Sequence, residues 1–439
     1  MIRKDLETHI VRHQQKGEWI LPFYDELCLS NIPATLFDLF GLPARQAGLP
    51  ARRSFLAHIP EVVRKSPKNP KIVLLLLDGF GYDQWLSCYR RLPFLRAMTE
   101  KGTLLPLTTV FPSTTAAAIT SLQTGLTPQE HALFEWFLYF KEVDEVVMSL
   151  PFSAIKRRAQ DELLERGVDP RLLLDAPSIS HLFQKRGIHS FAFVRSPLAK
   201  SAYTKRAFRG SAITGYRSMA DLVVKLRRLI AQTRGPSYFY VYWGEIDSLA
   251  HAYNPLSEEY ETEVSNFALI FQKELVEKLP RSLAEETMLM VTADHGQIPV
   301  KPLETVYLNR YPSITRHFEI SHRGKPILPC GSPRDVFLHV AYEHLAKTRM
   351  RLERAFGGRA NAILVDDALA QGLFGRGKIH ARFRERAGNV LVMPLGRQTV
   401  WYEHIKGKKF ELLGHHGGLT RAEMLIPFAV ARVSDLPHT

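Results

Sequence analysis

The chain has 439 residues, of which 45% are hydrophobic and 23% are charged, and its formal net charge is +14. This composition is ordinary for a soluble globular protein, and the length predicts one large domain with an insertion, or two domains. No apolar run approaches the ~20 residues of a membrane span, and the excess of basic residues favours anionic partners.

The first residues and the cysteines bear on the compartment. The stretch "MIRKDLETHIVRHQQKG" is polar and lacks the apolar core of a secretion signal. Cys28, Cys88 and Cys330 are widely spaced and form no metal-binding or redox pattern. We therefore expect a cytoplasmic protein with reduced thiols.

In chain order, residues 1–70 read as helix and loop, and the first clear strand is "KIVLLLL", which ends directly before Asp78. Further along, helices alternate with apolar strands, as in "MADLVVKLRRLIAQTRG" followed by "SYFYVYW", and "SNFALIFQKELVEKL" followed by "TMLMVT". This alternation predicts a doubly wound α/β sheet flanked by helices.

The segment 325–385 has a different pattern. Its stretches "DVFLHVA", "HLAKTRMRLERAFG" and "AILVDDALAQGLFG" predict a compact β-α-β-α unit. We interpret it as a small inserted α/β cap domain. Residues 1–324 and 386–439 would then form the core, with 1–70 packed on it.

Acidic residues and histidines follow several of the predicted strands. Asp78 ends one strand, Asp247 ends the next with His251 four residues on, and "MLMVTADHG" ends in Asp294 and His295. "LLGHHGGLT" places two further histidines in a glycine-rich loop before the last strand. In a doubly wound sheet such strand ends meet at one edge, and carboxylates with imidazoles suit Zn²⁺, Mn²⁺ or Mg²⁺. Taken alone, Asp247 and His251 could equally be a helix cap and a surface histidine.

A hydroxyl group is available as a nucleophile. "FPSTTAAAITSL" places Ser113, Thr114 and Thr115 directly before a predicted helix, where one of them could simply be the N-cap. The same position favours an anion, because the helix dipole and free backbone amides point at it. Beside a metal, such a hydroxyl can ionise and attack phosphorus.

Five blocks resemble the alkaline phosphatase superfamily, most closely the type I phosphodiesterase/nucleotide pyrophosphatase family. They are "LLLLDGFG", "FPSTTAAAITSLQTGLTPQEHA", "WGEIDSLAHAYNP", "VTADHGQ" and "HHGGLT", in the family's order from about residue 70 to 425. The resemblance implies an alkaline-phosphatase-like α/β fold with two metal ions, usually zinc, and a threonine nucleophile. It assigns Thr115 as that nucleophile.

The resemblance also implies which residues hold the ions. One set of ligands is Asp78, Thr115, Asp294 and His295. The other set is Asp247, His251 and His416. At Ala118, three residues after Thr115, the resemblance leads us to expect an asparagine that donates to a phosphate oxygen, so this chain departs from the pattern there.

The expected function is a metal-dependent phosphodiesterase or nucleotide pyrophosphatase acting on a small anionic phosphoester such as a nucleotide. Trp136 is predicted to form a substrate wall. The resemblance places His131 near the metal site as a second residue of the substrate-binding region, although a structural histidine with satisfied ring nitrogens fits that position equally well. A phosphomonoesterase or a phosphonate hydrolase of the same superfamily remains an alternative. From a different class, the alternative is a catalytically idle, basic nucleic-acid-binding protein, although no nucleic-acid-binding motif is present.

Overall fold

The computed structural model describes every residue except 44–48, 50–52, 62–66, 68 and 438–439. Parts of the predicted N-terminal helix-and-loop region therefore lie outside the described residues.

Two sheets of seven strands each organise the chain. In chain order their strands are Lys71–Leu77 (β1), Thr103–Thr108 (β2), Phe137–Phe140 (β3), Glu145–Met148 (β4), Ser153–Ala154 (β5), His189–Arg195 (β6), Ala212–Tyr216 (β7), Ser237–Trp243 (β8), Thr287–Thr292 (β9), Cys330–Ser332 (β10), Asp335–Leu338 (β11), Ala360–Leu364 (β12), Val390–Pro394 (β13) and Leu425–Arg432 (β14).

Helices separate most of these strands. The α-helices of six or more described residues are Lys4–Gln14, Ile32–Leu39, Tyr82–Cys88, Pro93–Glu100, Thr115–Thr124, Ile179–Gln184, Ala202–Ala207, Met219–Gln232, Glu245–Tyr253, Glu258–Ile270, Arg281–Glu286, Leu345–Phe356, Val365–Ala370 and Ala381–Ala387. Among the described residues, no helix is both long enough and apolar enough to cross a membrane.

The central sheet has the strand order β2-β14-β9-β1-β8-β6-β7. Five of these strands are parallel neighbours, in the order β9, β1, β8, β6 and β7. Helices cover both faces of the sheet, so every residue of β1 is buried. The predicted sheet flanked by helices is confirmed. One strand runs the other way: β14 is antiparallel to both β9 and β2, because the chain enters it from the edge where the parallel strands end.

The described part of the N-terminal region packs on this sheet. The backbone N–H of Arg3 donates to the carbonyl of Leu104 in β2 at 3.0 Å. Leu6 and Ile10, one turn apart on the helix Lys4–Gln14, are buried. These contacts fix the start of the chain against the strand that precedes the predicted nucleophile.

The second sheet has the order β12-β13-β11-β10-β3-β4-β5. The segment 325–385 contributes β10, β11 and β12 to it, and none of these strands enters the central sheet. β10 and β11 pair with each other, but their remaining partners and that of β12 lie outside the segment: β11 and β12 pair with β13, and β10 pairs with β3. The second sheet is thus wider than the predicted cap, and the division of the chain at residues 325 and 385 stays a prediction.

Candidate active site and metal centre

The acidic residues predicted at strand ends lie together at the carboxyl edge of the central sheet. Asp78 follows β1 directly, and Asp294 follows the neighbouring strand β9. Asp247 lies in the first turn of the helix that begins after β8. Because β1, β8 and β9 are parallel neighbours, their ends bring the three carboxylates to one place.

One group of potential metal ligands consists of Asp78, Asp294 and His295, all of them buried, with ligand atoms within 4.8 Å of one another. His295 Nε2 lies 3.4 Å from Asp78 Oδ1 and 3.4 Å from Asp294 Oδ2. Both of these carboxylate oxygens are buried and accept no hydrogen bond from any described residue. Buried carboxylate oxygens without a partner fit a bound cation.

A second group adjoins the first. The ligand atoms of Asp247, His295 and His416 also lie within 4.8 Å of one another, and His416 Nε2 is 3.8 Å from Asp247 Oδ1. His251 Nε2 is 3.3 Å from the other oxygen of Asp247. The rings of His295 and His416 stack with their centroids 3.5 Å apart, so His295 lies between the two groups. We call the following residues the strand-end cluster: Asp78, Asp247, His251, Asp294, His295 and His416.

The three hydroxyl residues before the helix Thr115–Thr124 have different environments. Thr114 is the N-cap: its hydroxyl accepts from the N–H of Ala117 and donates to the carbonyl of Phe134. Ser113 binds the loop that contains His416. Thr115 alone has its hydroxyl in the strand-end cluster, with Oγ1 3.2 Å from His295 Nε2. Among the three, Thr115 is therefore the residue whose hydroxyl contacts the predicted metal ligands.

Backbone carbonyls orient the three histidines. His251 Nδ1 lies 2.8 Å from the carbonyl of Gly414, His295 Nδ1 3.1 Å from that of Gly296, and His416 Nδ1 2.9 Å from that of Ser113. A carbonyl oxygen only accepts, so each Nδ1–H donates. The Nε2 lone pair of each ring then faces the cluster, as a metal ligand requires.

The electrostatics of the cluster also favour a cation. Burial, followed by the charges of Asp247 and Asp294, raises the pKa of Asp78 well above its usual range, and burial raises the pKa of the other two acids as well. Burial lowers the pKa of His295 and, with the nearby imidazoles, that of His416. Among the described residues, no lysine or arginine forms an ion pair with the three acids. Divalent ions would supply the missing positive charge.

Two side chains that the sequence analysis did not assign hold the carboxylates. The Tyr242 hydroxyl donates to Asp78 Oδ2, and the Gln297 amide donates to Asp247 Oδ1. Gly79 has a φ of +71°, and a Cβ there would lie 3.1 Å from Asp247 Oδ1. Tyr242 could have been found from the alternation of tyrosines along "YFYVYW", which puts them on one face of β8.

A second buried ionic group lies behind the His416 loop. Arg334 donates to both carboxylate oxygens of Glu423 at 3.0 Å each, and Glu423 in turn accepts the N–H of Gly418 at 3.0 Å. The adjacent carboxyl groups of Glu135 and Asp335 interact with each other, and burial raises the pKa of Glu135 to about 8. We call Glu135, Arg334, Asp335 and Glu423 the bracing cluster.

A cavity of about 290 Å³ opens at the strand-end cluster. Thr115, Asp78 and Asp247 line it, and so does Trp136, with 39% of its surface exposed. The role of Trp136 as a substrate wall stays a prediction. Arg195, at the end of β6, also lines the cavity, and the sequence analysis missed it because only acids and histidines were sought at strand ends.

Two other predicted positions do not reach the cavity. His131 is buried, accepts the N–H of Leu133 at Nδ1, and lies 3.0 Å from the Ser121 hydroxyl at Nε2. Both ring nitrogens are therefore satisfied within the protein, and burial lowers the pKa of His131 to about 3. Ala118 is buried and is not among the residues that line the cavity.

Comparison with known proteins identifies a family and several solved structures that are similar to this chain. The sequence profile of the family described as type I phosphodiesterase / nucleotide pyrophosphatase matches residues 72–419, which include every predicted site residue. A comparison with curated protein sequences finds no match.

Solved structures share the fold. Murine ectonucleotide pyrophosphatase / phosphodiesterase 5, an inactive variant in complex with AMP, aligns with 82% of this chain and 87% of that chain, at 18% identity and a TM-score of 0.62. The human protein of the same name aligns with the same shares, at 17% identity and a TM-score of 0.60. Phosphonoacetate hydrolase from Sinorhizobium meliloti 1021, in complex with phosphonoacetate, aligns with 83% of this chain and 90% of that chain, at 18% identity and a TM-score of 0.59.

The family profile covers most of the chain, and the solved structures share its alkaline-phosphatase-like fold. The chain therefore belongs to the type I phosphodiesterase / nucleotide pyrophosphatase family of the alkaline phosphatase superfamily, and it is a phosphoester hydrolase.

Proposed function

We propose that the enzyme hydrolyses a small anionic phosphodiester through a covalent intermediate on Thr115, with two divalent metal ions held by the strand-end cluster. The observation that carries this proposal is the position of the Thr115 hydroxyl, 3.2 Å from His295 Nε2 at the start of a helix. Thr115, Asp78, Asp294 and His295 would hold one ion. Asp247, His251 and His416 would hold the other.

The donor set supports this assignment. Mixed carboxylate and imidazole ligands suit zinc, and also manganese. When bound, the two ions would favour the ionised Thr115 hydroxyl and offset the negative charge of the substrate oxygens. Tyr242 and Gln297 would keep Asp78 and Asp247 in place through the hydrogen bonds described above.

The reaction would follow from the position of Thr115. Its oxygen attacks phosphorus, a Thr115 Oγ1–P bond forms, and the bond to the leaving alcohol breaks. The amides of Thr115 and Ala116 have no acceptor within the helix, and with the helix dipole they favour negative charge on the phosphoryl oxygens. Water then cleaves the Oγ1–P bond and regenerates the Thr115 hydroxyl.

Trapping of the intermediate tests the proposal. Metal-loaded enzyme is mixed with ³²P-labelled thymidine 5′-(p-nitrophenyl phosphate) and quenched in acid, and the labelled peptide is mapped. We expect label on Thr115, and we expect Thr115→Ala to lower turnover by a factor of about 10³ or more without unfolding the protein.

Thr114→Ala is the matched control, because it changes the neighbouring hydroxyl. It removes the N-cap, so it should cost about 1 kcal/mol of stability but retain the labelled intermediate. Full activity in Thr115→Ala would disprove the covalent route and leave direct attack by water as the alternative.

Phosphonate hydrolysis is the second candidate. It is favoured by the similarity to phosphonoacetate hydrolase, whereas the similarity to the protein solved with AMP favours a nucleotide-like diester. Assay of phosphate release from phosphonoacetate, beside release of p-nitrophenol from bis-p-nitrophenyl phosphate, separates the two. The faster reaction identifies the bond that the site cleaves.

The proposed location is the cytoplasm. Cys28, Cys88 and Cys330 are buried and form no disulfide, as in proteins of reducing compartments. Fractionation of cells that express the tagged chain tests this, and recovery outside the cytoplasmic fraction would contradict it.

A further inference from the structure

The cavity beside Thr115 contains one positively charged side chain among the described residues that line it. This is Arg195, the last residue of β6. In the sheet, β6 pairs with β8, whose end leads to Asp247. Arg195 therefore lies one strand away from the predicted metal ligands, along the same edge of the sheet.

Arg195 keeps free hydrogen-bond donors. Its Nη1 pairs with Glu245, and its other guanidinium nitrogens bind no described residue. The side chain is 47% exposed, and Glu245 lies outside the cavity, in a neighbouring recess that also contains Arg217. A guanidinium anchored on one side and open on the other presents a planar fork of donors, which matches a carboxylate or phosphate.

The rest of the lining is mixed. Thr115, Asp78 and Asp247 line the cavity together with Arg195, and the apolar side chains of the lining include Trp136, Leu150 and Leu198. The cavity volume of about 290 Å³ is at the lower limit for ligand pockets, and it fits a small molecule better than a long one.

We infer that the substrate carries a second anionic group, separate from the reacting phosphoryl group, and that Arg195 binds it. The substrate would have three parts: a phosphoryl group at Thr115, a small apolar body along the Trp136 wall, and a carboxylate or phosphate at Arg195. This inference rests on the proposed function for the position of the phosphoryl group. Arg195 is then a specificity-determining residue, with no part in the bond-breaking steps.

Matched ligands test this. The metal-loaded protein is titrated calorimetrically with 3- and 4-carboxyphenyl phosphate, each against the carboxamide of the same shape. We expect the wild-type protein to bind at least one carboxylate about 10-fold more tightly than its carboxamide. Arg195→Met should reduce this preference to less than about 2-fold, and Arg195→Lys should keep part of it because the charge remains.

Arg217→Met is the matched control, since Arg217 lies in the recess beyond Glu245 and does not line the cavity. It should leave the preference for the carboxylate unchanged. Equal affinity of the wild-type protein for carboxylates and carboxamides would overturn the inference. So would an unchanged preference in Arg195→Met.

The same ligands separate this inference from the proposed hydrolysis. The p-nitrophenyl diesters of these compounds are assayed for turnover in parallel. If no diester is cleaved but the Arg195-dependent preference in binding persists, the covalent mechanism fails while the role of Arg195 stands. If the diesters are cleaved without that preference, the reverse holds.

Discussion

The bracing cluster and the strand-end cluster are neighbouring groups of ionisable residues. They differ in whether the protein itself supplies a cationic side chain. The bracing cluster contains its own cation, since Arg334 pairs with Glu423 through two hydrogen bonds of 3.0 Å. The strand-end cluster contains three carboxylates, and no lysine or arginine of the described chain pairs with them. Asp78, Asp294 and His295 are as buried as Arg334 and Glu423, so burial alone does not separate a binding site from a structural ion pair.

The difference shows how a buried acidic group can be interpreted. An acid with a protein cation beside it is a structural element, and its removal leaves an unpaired charge. Several acids without a cation are costly unless a ligand supplies one. The orientation of three histidine Nε2 atoms toward the strand-end cluster supports the second interpretation there.

Removal of the metal ions proposed for the strand-end cluster should have the largest effect, which is a loss of turnover. We expect exhaustive treatment with a chelator to lower turnover by a factor of about 10³ or more, and Zn²⁺ or Mn²⁺ to restore it. Asp294→Ala should lower the metal content, measured by elemental analysis. Glu142→Ala, which changes a partly exposed acid paired with Arg382, is the control. Full turnover of metal-free protein would contradict the assignment.

Removal of the internal cation should have the next largest effect. Arg334→Met leaves Glu423 buried without its partner, so we expect the free energy of unfolding to fall by about 3–5 kcal/mol. Denaturant unfolding measures it. The double variant Arg334→Met/Glu423→Gln should recover part of this loss, because no charge is then left unpaired. A stable Arg334→Met protein would show that the pair does not brace the loop.

The carboxyl pair of the bracing cluster should make stability depend on pH. Burial raises the pKa of Glu135 from its usual value of 4.5 to about 8, so the folded protein holds this proton more tightly than the unfolded chain. Its contribution to stability is full below pH 4.5 and is lost as the pH rises through about 8. Glu135→Gln should remove this loss, which is at most about 5 kcal/mol for a pKa that rises from 4.5 to about 8.

Unfolding curves of both proteins between pH 4 and pH 9 provide the measurement. Their difference isolates Glu135 from the histidines that titrate in the same interval. Parallel stability curves for the two proteins would contradict the raised pKa of Glu135. Glu142→Gln serves as the control for loss of an acid at a partly exposed position.

Substitution of Asp78 should have the smallest effect, and it should raise the stability of the metal-free protein, not lower it. In metal-free protein at pH 8, Asp78→Asn removes one of three mutually repelling carboxylates, so we expect stability to rise by about 1 kcal/mol. The sign follows from the raised pKa of Asp78: its stabilising contribution is present below pH 3.8 and lost as the pH rises. With saturating Zn²⁺ the variant should gain less stability than the wild type. Thermal unfolding with and without the metal tests both statements, and destabilisation of the metal-free variant would contradict them.

Several features of the site followed from the sequence for a physical reason. A buried parallel strand must end at the sheet edge, so Asp78, Asp247 and Asp294 could be placed together from their positions after apolar runs. The choice of Thr115 as nucleophile came from a family resemblance, and the structure adds that Thr114 is occupied as the N-cap.

Other features could not be predicted, because they depend on contacts between distant parts of the chain. Strand patterns do not identify partners, and the pairing of β10 with β3 joins residues almost two hundred positions apart. For the same reason, the sequence did not predict the hydrogen bond from Gln297 to Asp247 or the position of Arg195. It also led to the expectation that His131 lies near the metal site, whereas its partners are Ser121 and Leu133.

The position of β14 has a consequence for biosynthesis. This last strand lies inside the central sheet, between β9 and β2. One short helix, Arg421–Met424, separates it from the loop in which His416 Nδ1 donates to the carbonyl of Ser113. A nascent chain that has not yet released residue 432 from the ribosome leaves β9 and β2 with open edges and the strand-end cluster without His416. Catalytic competence therefore arises only after residue 432 has left the ribosome, and the enzyme stays inactive until then.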